Sequence, residues 1–248
     1  MIPRRGAEGE VDRAWAELMR AGTSVPALKD VLERTGADKP LLVALLRRAA
    51  PLAFLELIAT SAPWSEDHRL LAAVVLSPHA TRPLGLRLVG SLLWRELADV
   101  AASPRVAMAV RIRAEALLKD QLPDLRLGEK ITLAKIATPP VLTLLLAEKD
   151  LKVIEAGLIN SRLREEDLLM LVRAEAPAPA LLEGIVASSR WRERYGLRLA
   201  IALQPKAPLA IVLGQLSTLM PKDLLRIADT DGLRPLVQAA AARVAASR

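Results

Sequence analysis

The sequence predicts an all-α protein in which short amphipathic helices stack against one another. Leucines and alanines recur every three or four residues, aromatic residues make up only 2% of the chain, and one long segment recurs further along. Apolar residues at this spacing lie on one face of a helix. Because strands favour β-branched and aromatic residues, the composition also argues against a β-sandwich.

The helices can be placed in order from their start signals and apolar stripes. Helix starts are predicted at Ser103-Pro104, Thr138-Pro139-Pro140 and Pro177-Ala178-Pro179, because proline in the first turn lacks only an N–H that would have no partner there. Asp150 and the run Glu165-Glu166-Asp167 place negative charge where a helix N-terminus is positive. The result is a chain of helices of roughly 9 to 15 residues with short connections.

Two of the apolar stripes match each other. Leu86, Val89 and Leu92 form one stripe, and the second passes through Leu209, Val212/Leu213, Leu216 and Leu219. Leu86 and Leu213 occupy corresponding places, and we expect both side chains to be buried.

An internal duplication explains these matches. Trp64 aligns with Trp191 at an offset of 127 in the numbering, hereafter the repeat offset, and the same offset aligns Pro78 with Pro205. Leucine and alanine matches arise easily in this composition, whereas tryptophan and proline matches at one offset do not. The sequence therefore predicts that residues 39–118 and 166–245 are two copies of one structural unit, within a single domain spanning 11–248 that follows a loose tail at 1–10.

Some segments carry a family resemblance. The proline-punctuated stretches that begin at Leu76 and Leu203, and the segment from Leu144 to Asn160, resemble HEAT/armadillo-like helical repeats, in particular the leucine-rich repeat variant. Three helical pairs within one repeat offset would give about 42 residues per pair, within the range of such repeats. The resemblance implies an α-solenoid, a HEAT-like superhelix of stacked helical pairs, that serves as a scaffold or interaction surface.

Composition disfavours most enzyme chemistry. The chain has no cysteine and two histidines, which excludes thiolate catalysis and leaves little for histidine-based metal or acid/base sites. Glycines occur singly, without a phosphate-binding loop, and the Glu165-Asp167 run lacks the spacing of a calcium loop. Ser65, Asp67 and His68 lie too close together in sequence to converge as a catalytic triad. We therefore expect no catalytic residue, no metal and no cofactor.

Charge and hydropathy bear on partners and location. The net charge is +7, and its surplus lies mainly after Asp124, where 18 basic residues face 13 acidic ones. Such a balance suits nucleic acid or an acidic partner. The longest uncharged apolar stretch, 207–221, falls short of a membrane span, and the N-terminus does not read as a signal peptide. A cytoplasmic location is expected.

The candidate binding site lies between residues 190 and 198. On a continuous helix, Arg190, Arg194 and Arg198 would form a basic stripe beside Trp191 and Tyr195. The corresponding positions in the first copy are Pro63, Asp67 and Leu71, so the shared packing does not require the arginines. The plainer interpretations are a solvated face for the arginines and packing for Trp64 and Trp191.

Two functions remain open from sequence. The first is a non-enzymatic scaffold that binds another protein, which could be acidic, along the helical surface. The alternative is a nucleic-acid-binding module, in one form similar to HEAT-like DNA glycosylases, that uses the arginine stripe. The glycosylase form rests on an acidic residue beside a tryptophan, as Asp67 beside Trp64 or Glu193 beside Trp191.

Overall fold

The structure, a computed structural model, describes residues 5–36 and 38–247, with side chains from Gly9 onward. The described chain is all-α and contains no strand, as the sequence predicts. It divides into two compact units, Met1–Pro123 and Asp124–Arg248, and each is described by itself. Part of the predicted loose tail, Met1 to Arg4, lies outside the described residues, and residues 5–10 belong to the first helix rather than to a tail. The single domain over 11–248 stays a prediction.

Unit 1 contains eight α-helices among its described residues. They are α1 (Arg5–Ala21), α2 (Val25–Arg34), α3 (Lys39–Leu46), α4 (Leu52–Thr60), α5 (His68–Val75), α6 (Arg82–Leu88), α7 (Trp94–Ala102) and α8 (Met108–Gln121). Helix α1 packs on α3, α3 on α5 and α5 on α7, while α2 packs on α4 and α6 on α8. Contacts between alternate helices therefore form one row from α1 to α7 and two further pairs, α2 with α4 and α6 with α8.

Unit 2 contains nine α-helices among its described residues. They are α9 (Leu127–Ile136), α10 (Pro139–Leu146), α11 (Leu151–Leu158), α12 (Glu165–Val172), α13 (Pro179–Ala187), α14 (Tyr195–Ala202), α15 (Leu209–Leu216), α16 (Pro221–Ala228) and α17 (Pro235–Ala246). Contacts between α9, α11, α13, α15 and α17 form one row, and contacts between α10, α12 and α14 form the other. Helix α16 packs closely on α17.

Several predicted helix starts are confirmed. Helices α10 and α13 begin at Pro139 and Pro179, and α12 begins at Glu165. The carboxylate of Asp150 accepts hydrogen bonds from the backbone N–H groups of Lys152 and Val153, which caps α11. The sequence predicted these helix starts correctly because prolines and capping carboxylates act on backbone groups within the same turn.

The helix start predicted at Ser103-Pro104 is wrong. Ser103 ends α7, and the N–H of Val106 donates to the carbonyl of Ser103, so Pro104 lies in a turn before α8. Proline suits the second position of such a turn as well as the first turn of a helix. The same i to i+3 hydrogen bond closes the turns that begin at Ser77, Asn160 and Gln204.

Helix starts recur at the repeat offset, with one deviation. The bounds of α4 and α13, and those of α5 and α14, differ by this offset at both ends. Helices α6, α7 and α8 likewise begin one repeat offset before α15, α16 and α17. The distance in sequence from the start of α3 to the start of α12 is one position less than the repeat offset. The predicted ungapped register therefore does not hold at the start of the repeat.

The helices are shorter and closer together than the resemblance implied. Nine helices, α3 to α11, begin from residue 39 onward and before α12 starts at Glu165, whereas three pairs would be six. Many of these helices have only eight residues, because a capping residue or proline starts each one and a turn soon ends it. The spacing expected for three helical pairs in each repeat is therefore wrong.

The expected burial of Leu86 and Leu213 is also wrong. Leu86 is 39% exposed and Leu213 is half-buried. Helix α6 buries Leu84 and Leu88 instead, which lie four residues apart on its inner face. The continuous stripe misled the prediction because α6 ends at Leu88 and a short 3-10 helix, Val89–Ser91, follows and changes the period.

Candidate binding grooves

The predicted arginine stripe does not lie on one helix. Helix α14 begins at Tyr195, Arg194 is its N-cap, and residues 189–193 form turns. The prediction extended the helical period backward through residues whose backbone turns before the helix begins.

Arg190 and Trp191 hold two segments of unit 2 together. The guanidinium of Arg190 donates to the carbonyls of Asn160 (2.8 Å) and Leu163 (3.0 Å) and lies over the Trp191 ring, 4.3 Å from its centroid. The indole Nε1–H of Trp191 donates to the carbonyl of Leu158 at 2.8 Å, and the side chain is 3% exposed. These contacts fit the packing interpretation of Trp191. Trp64, in a short 3-10 helix, is half-buried.

The other two arginines have partners nearby. Arg198 forms an ion pair with Glu193 and donates to the carbonyl of Arg192 at 2.6 Å. Arg194 is more exposed, and its Nε lies 4.0 Å from a carboxylate oxygen of Glu165. Arg190 and Arg198 therefore bind groups within unit 2, and the side chain of Arg194 is exposed.

Tyr195 and His68, separated by the repeat offset, make corresponding contacts. The Tyr195 hydroxyl donates to the carboxylate of Asp223 and accepts from the N–H of Met220. The His68 ring nitrogen Nδ1 lies 3.1 Å from Oε1 of Glu96, the residue that corresponds to Asp223. Burial, reinforced by the hydrogen bond and charge of Asp223, raises the pKa of Tyr195 above its ordinary value.

The triad-like group at residues 65–68 is not assembled. The carboxylate of Asp67 caps α5 and pairs with Lys39, while the His68 ring faces Glu96. Although partial burial alone would raise the pKa of Asp67, the Lys39 and backbone hydrogen bonds lower it. The ring of the exposed His79 contacts the carbonyl of Ala50.

Unit 1 carries a groove between α3, α5 and α7. Its volume is about 480 Å³. Apolar side chains of α5 form the floor, and charged side chains form the rim: Ala72, Ala73, Leu76, Arg47, Arg69, Arg95, Glu96 and Asp99. Burial raises the pKa of Asp99, an effect that Arg95 opposes and Glu96 reinforces. Three arginines and two carboxylates therefore line this groove.

Unit 2 carries a groove between α12, α14 and α16. Its volume is about 780 Å³. The floor residues lie on one face of α14, and cations dominate the rim: Gly196, Leu199, Ala200, Leu203, Arg173, Lys206, Arg226 and Glu175. Spacings of three and four residues place the floor residues together on that face.

The two grooves occupy matching places. Ala72, Ala73 and Leu76 of the first correspond, at the repeat offset, to Leu199, Ala200 and Leu203 of the second. Arg47 and Arg173 directly follow α3 and α12. Charge differs at several places; for example, Arg226 stands where the first groove has Asp99, and Gly196 stands where it has Arg69. The sequence does not show these grooves, because their rims join residues from three helices. The change from Asp99 to Arg226 is visible when the two copies are aligned.

Within residues 5–36 and 38–247, no group of three or more histidine or acidic side chains is placed to hold a metal ion. No helix in the described part of the chain is long and apolar enough to cross a membrane. No protein-family model, curated protein or solved structure matches the chain.

Proposed function

We propose that this chain is a non-catalytic scaffold that binds a partner protein in one groove of each unit. The observation that carries the proposal is the pair of grooves at matching places, one between α3, α5 and α7 and the other between α12, α14 and α16. Each has an apolar floor within a charged rim, an arrangement common at protein-binding surfaces. A groove present twice suits a partner with two contact segments, because the second contact forms at a high effective concentration.

The proposed architecture is a HEAT-like stack within each unit, with residues 39–118 and 166–245 as copies of one unit. The repeated helix bounds and the contacts between alternate helices support it. A helical pair cannot bury its own apolar face and must stack on its neighbours. Membership of the HEAT/armadillo group and one continuous solenoid over 11–248 stay predictions, as does the cytoplasmic location.

The proposal of no enzymatic activity rests on the chemistry of the side chains. The chain has no cysteine, and its two histidines contact Glu96 and the carbonyl of Ala50. Each groove contains arginines and carboxylates without a nucleophile and base in contact among the described residues.

Nucleic-acid binding remains the alternative. It depends on Arg190, Arg194 and Arg198, and two of these arginines donate to partners inside the protein. A glycosylase-like site at Trp191 would need an exposed ring, whereas this indole is 3% exposed. These contacts favour the scaffold.

Site-specific photocrosslinking in the cells that make the protein tests the proposal. A photoreactive residue at Leu76 or Leu203, on the groove floors, should yield an adduct with the same identified protein. The control position, Ile112 on α8, is 54% exposed and lines neither groove. The purified partner should then bind the wild type and lose affinity when either floor leucine is replaced by arginine. Adducts removed by nuclease, or equal adducts at Ile112, would overturn the scaffold function.

A further inference from the structure

The rim of the unit 2 groove holds cations that the unit leaves largely without carboxylate partners. Arg173 and Arg226 are both exposed, and neither forms an ion pair within the described part of the chain. Lys206 lies 3.5 Å from Glu175, whose side chain is 95% exposed and therefore holds the lysine weakly. Three cations thus surround a concave surface with one solvated carboxylate among them.

The unit 1 groove has a different balance of charges on its rim. There Asp99 and Glu96 stand beside Arg95, Arg69 and Arg47 on the same rim. In unit 2 the position of Asp99 is taken by Arg226, which removes an internal anion and adds a cation. The unit 2 rim therefore has one carboxylate, Glu175, for three cations, whereas the unit 1 rim has two carboxylates for three cations, and both grooves keep an apolar floor.

The floor of the unit 2 groove limits what can fill it. Leu199 and Leu203 are half-buried, so each presents apolar surface to the groove. An apolar side chain would remove this surface from water, whereas a phosphate backbone or a lipid headgroup offers no apolar group at that place. The occupant needs carboxylates for the rim and an apolar side chain for the floor.

We infer that the groove between α12, α14 and α16 binds an acidic segment of a partner protein, with carboxylates on Arg173 and Arg226 and an apolar side chain on Leu199 and Leu203. This inference rests on the proposed scaffold function and names the chemistry of its partner. Arginine suits the role because its planar guanidinium donates two parallel hydrogen bonds to one carboxylate.

Fluorescence anisotropy with short labelled peptides tests the inference. The probe has a central leucine with glutamates on both sides, and two controls replace the glutamates by glutamine or the leucine by alanine. The acidic leucine peptide should bind the wild type, and the glutamine peptide should bind at least about tenfold more weakly, because each charge-assisted pair is worth about one such factor. Affinity should fall as salt is added.

Reciprocal charge exchange between the grooves supplies matched variants. Arg226→Asp makes the unit 2 rim resemble unit 1 and should lower affinity for the acidic peptide at least about tenfold, whereas Arg226→Lys should retain most of it. Asp99→Arg makes the unit 1 rim resemble unit 2 and should raise the binding stoichiometry. Both positions are exposed, so thermal melts should stay near that of the wild type.

Four outcomes would overturn the inference. They are no binding of the acidic peptide at millimolar concentration, equal binding of the glutamine peptide, no effect of Arg226→Asp, and tighter binding of a DNA duplex that depends on Arg226. If the peptides fail while crosslinking from Leu203 still identifies a protein partner, the partner chemistry is wrong and the scaffold function stands. If crosslinking from Leu76 and Leu203 also identifies no protein, both proposals fail.

Discussion

His68 Nδ1 lies 3.1 Å from Oε1 of Glu96, and Tyr195 and Asp223, which correspond to them at the repeat offset, make the matching contact. In both units an aromatic ring at the first residue of a helix, α5 or α14, reaches a carboxylate on another helix that lines the same groove, α7 or α16. The residue types differ while the contact persists. This contact therefore ties the two helices beneath each groove.

Alkaline titration should report the contact in unit 2, because Tyr195 is the single tyrosine of the chain. Burial, followed by Asp223, raises its pKa above the ordinary value of 10.0, so tyrosinate absorbance should appear at higher pH in the folded protein than in denaturant. The folded state holds this proton more tightly. The resulting stability is fully present below pH 10.0 and is lost as pH rises through the folded pKa.

Tyr195→Phe is the control for that titration. It should abolish the tyrosinate signal and lower the free energy of unfolding by about 1 to 3 kcal/mol near neutral pH, since Asp223 is 8% exposed and would lose its donor. Its stability should then no longer show the tyrosine-dependent decrease at high pH. Ionisation of Tyr195 at or below its ordinary pKa would contradict the assigned hydrogen bond.

Gln204 should be a strong determinant of stability in unit 2. Its side-chain amide donates to the carbonyls of Val172 (2.6 Å) and Ala174 (3.0 Å) at the end of α12, and its oxygen accepts from the N–H of Lys206. Gln204→Ala removes these bonds from a site that is 7% exposed and should lower the free energy of unfolding by about 1 to 3 kcal/mol in chemical denaturation.

Ser77, at the matching position of unit 1, provides the comparison. Within the described part of the chain its buried Oγ has no hydrogen-bond partner, so Ser77→Ala removes an unsatisfied group and should not lower the free energy of unfolding by more than about 0.5 kcal/mol. Equal losses for the Ser77 and Gln204 variants would show that the side-chain amide does not join α12 and α14.

Leu84 and Leu86 test which face of α6 meets the core. Leu84 is 1% exposed and Leu86 is 39% exposed on the same short helix. Leu84→Ala should lower the free energy of unfolding by about 2 to 5 kcal/mol, and Leu86→Ala by less than about 1 kcal/mol. A larger loss for the Leu86 variant in thermal melts would reverse the assigned orientation of the helix.

Alanine substitutions of Arg190 and Arg194 should have different effects on stability. Arg190→Ala should lower the free energy of unfolding by about 1 to 3 kcal/mol, because the carbonyls of Asn160 and Leu163 lose a charged donor. Arg194→Ala should be nearly neutral, since its contact with Glu165 is 4.0 Å long and exposed.

The triple alanine variant that includes Arg198 tests the nucleic-acid alternative. We expect the wild type to bind duplex DNA only weakly at physiological salt. We also expect the affinity of the variant for DNA to depend on salt concentration as that of the wild type does. Tight binding by the wild type, with a slope reduced in a still-folded variant, would favour nucleic acid instead.

The sequence by itself predicted the all-α class, several helix starts and the repeat offset. Caps such as Asp150 and prolines such as Pro139 and Pro179 act on backbone groups of their own turn, so local sequence contains the whole signal. Ser103-Pro104 misled because proline fits a turn as well as a helix start.

Only the tertiary structure decided which side chains meet. It joined Arg190 to the carbonyls of Asn160 and Leu163, and Tyr195 to Asp223, although the sequence placed Arg190 and Tyr195 on one binding surface. It also brought Arg173, Leu199 and Arg226 to one groove from three helices. Helical periodicity specifies which residues share a face of one helix, whereas a site formed between helices depends on how their faces pack.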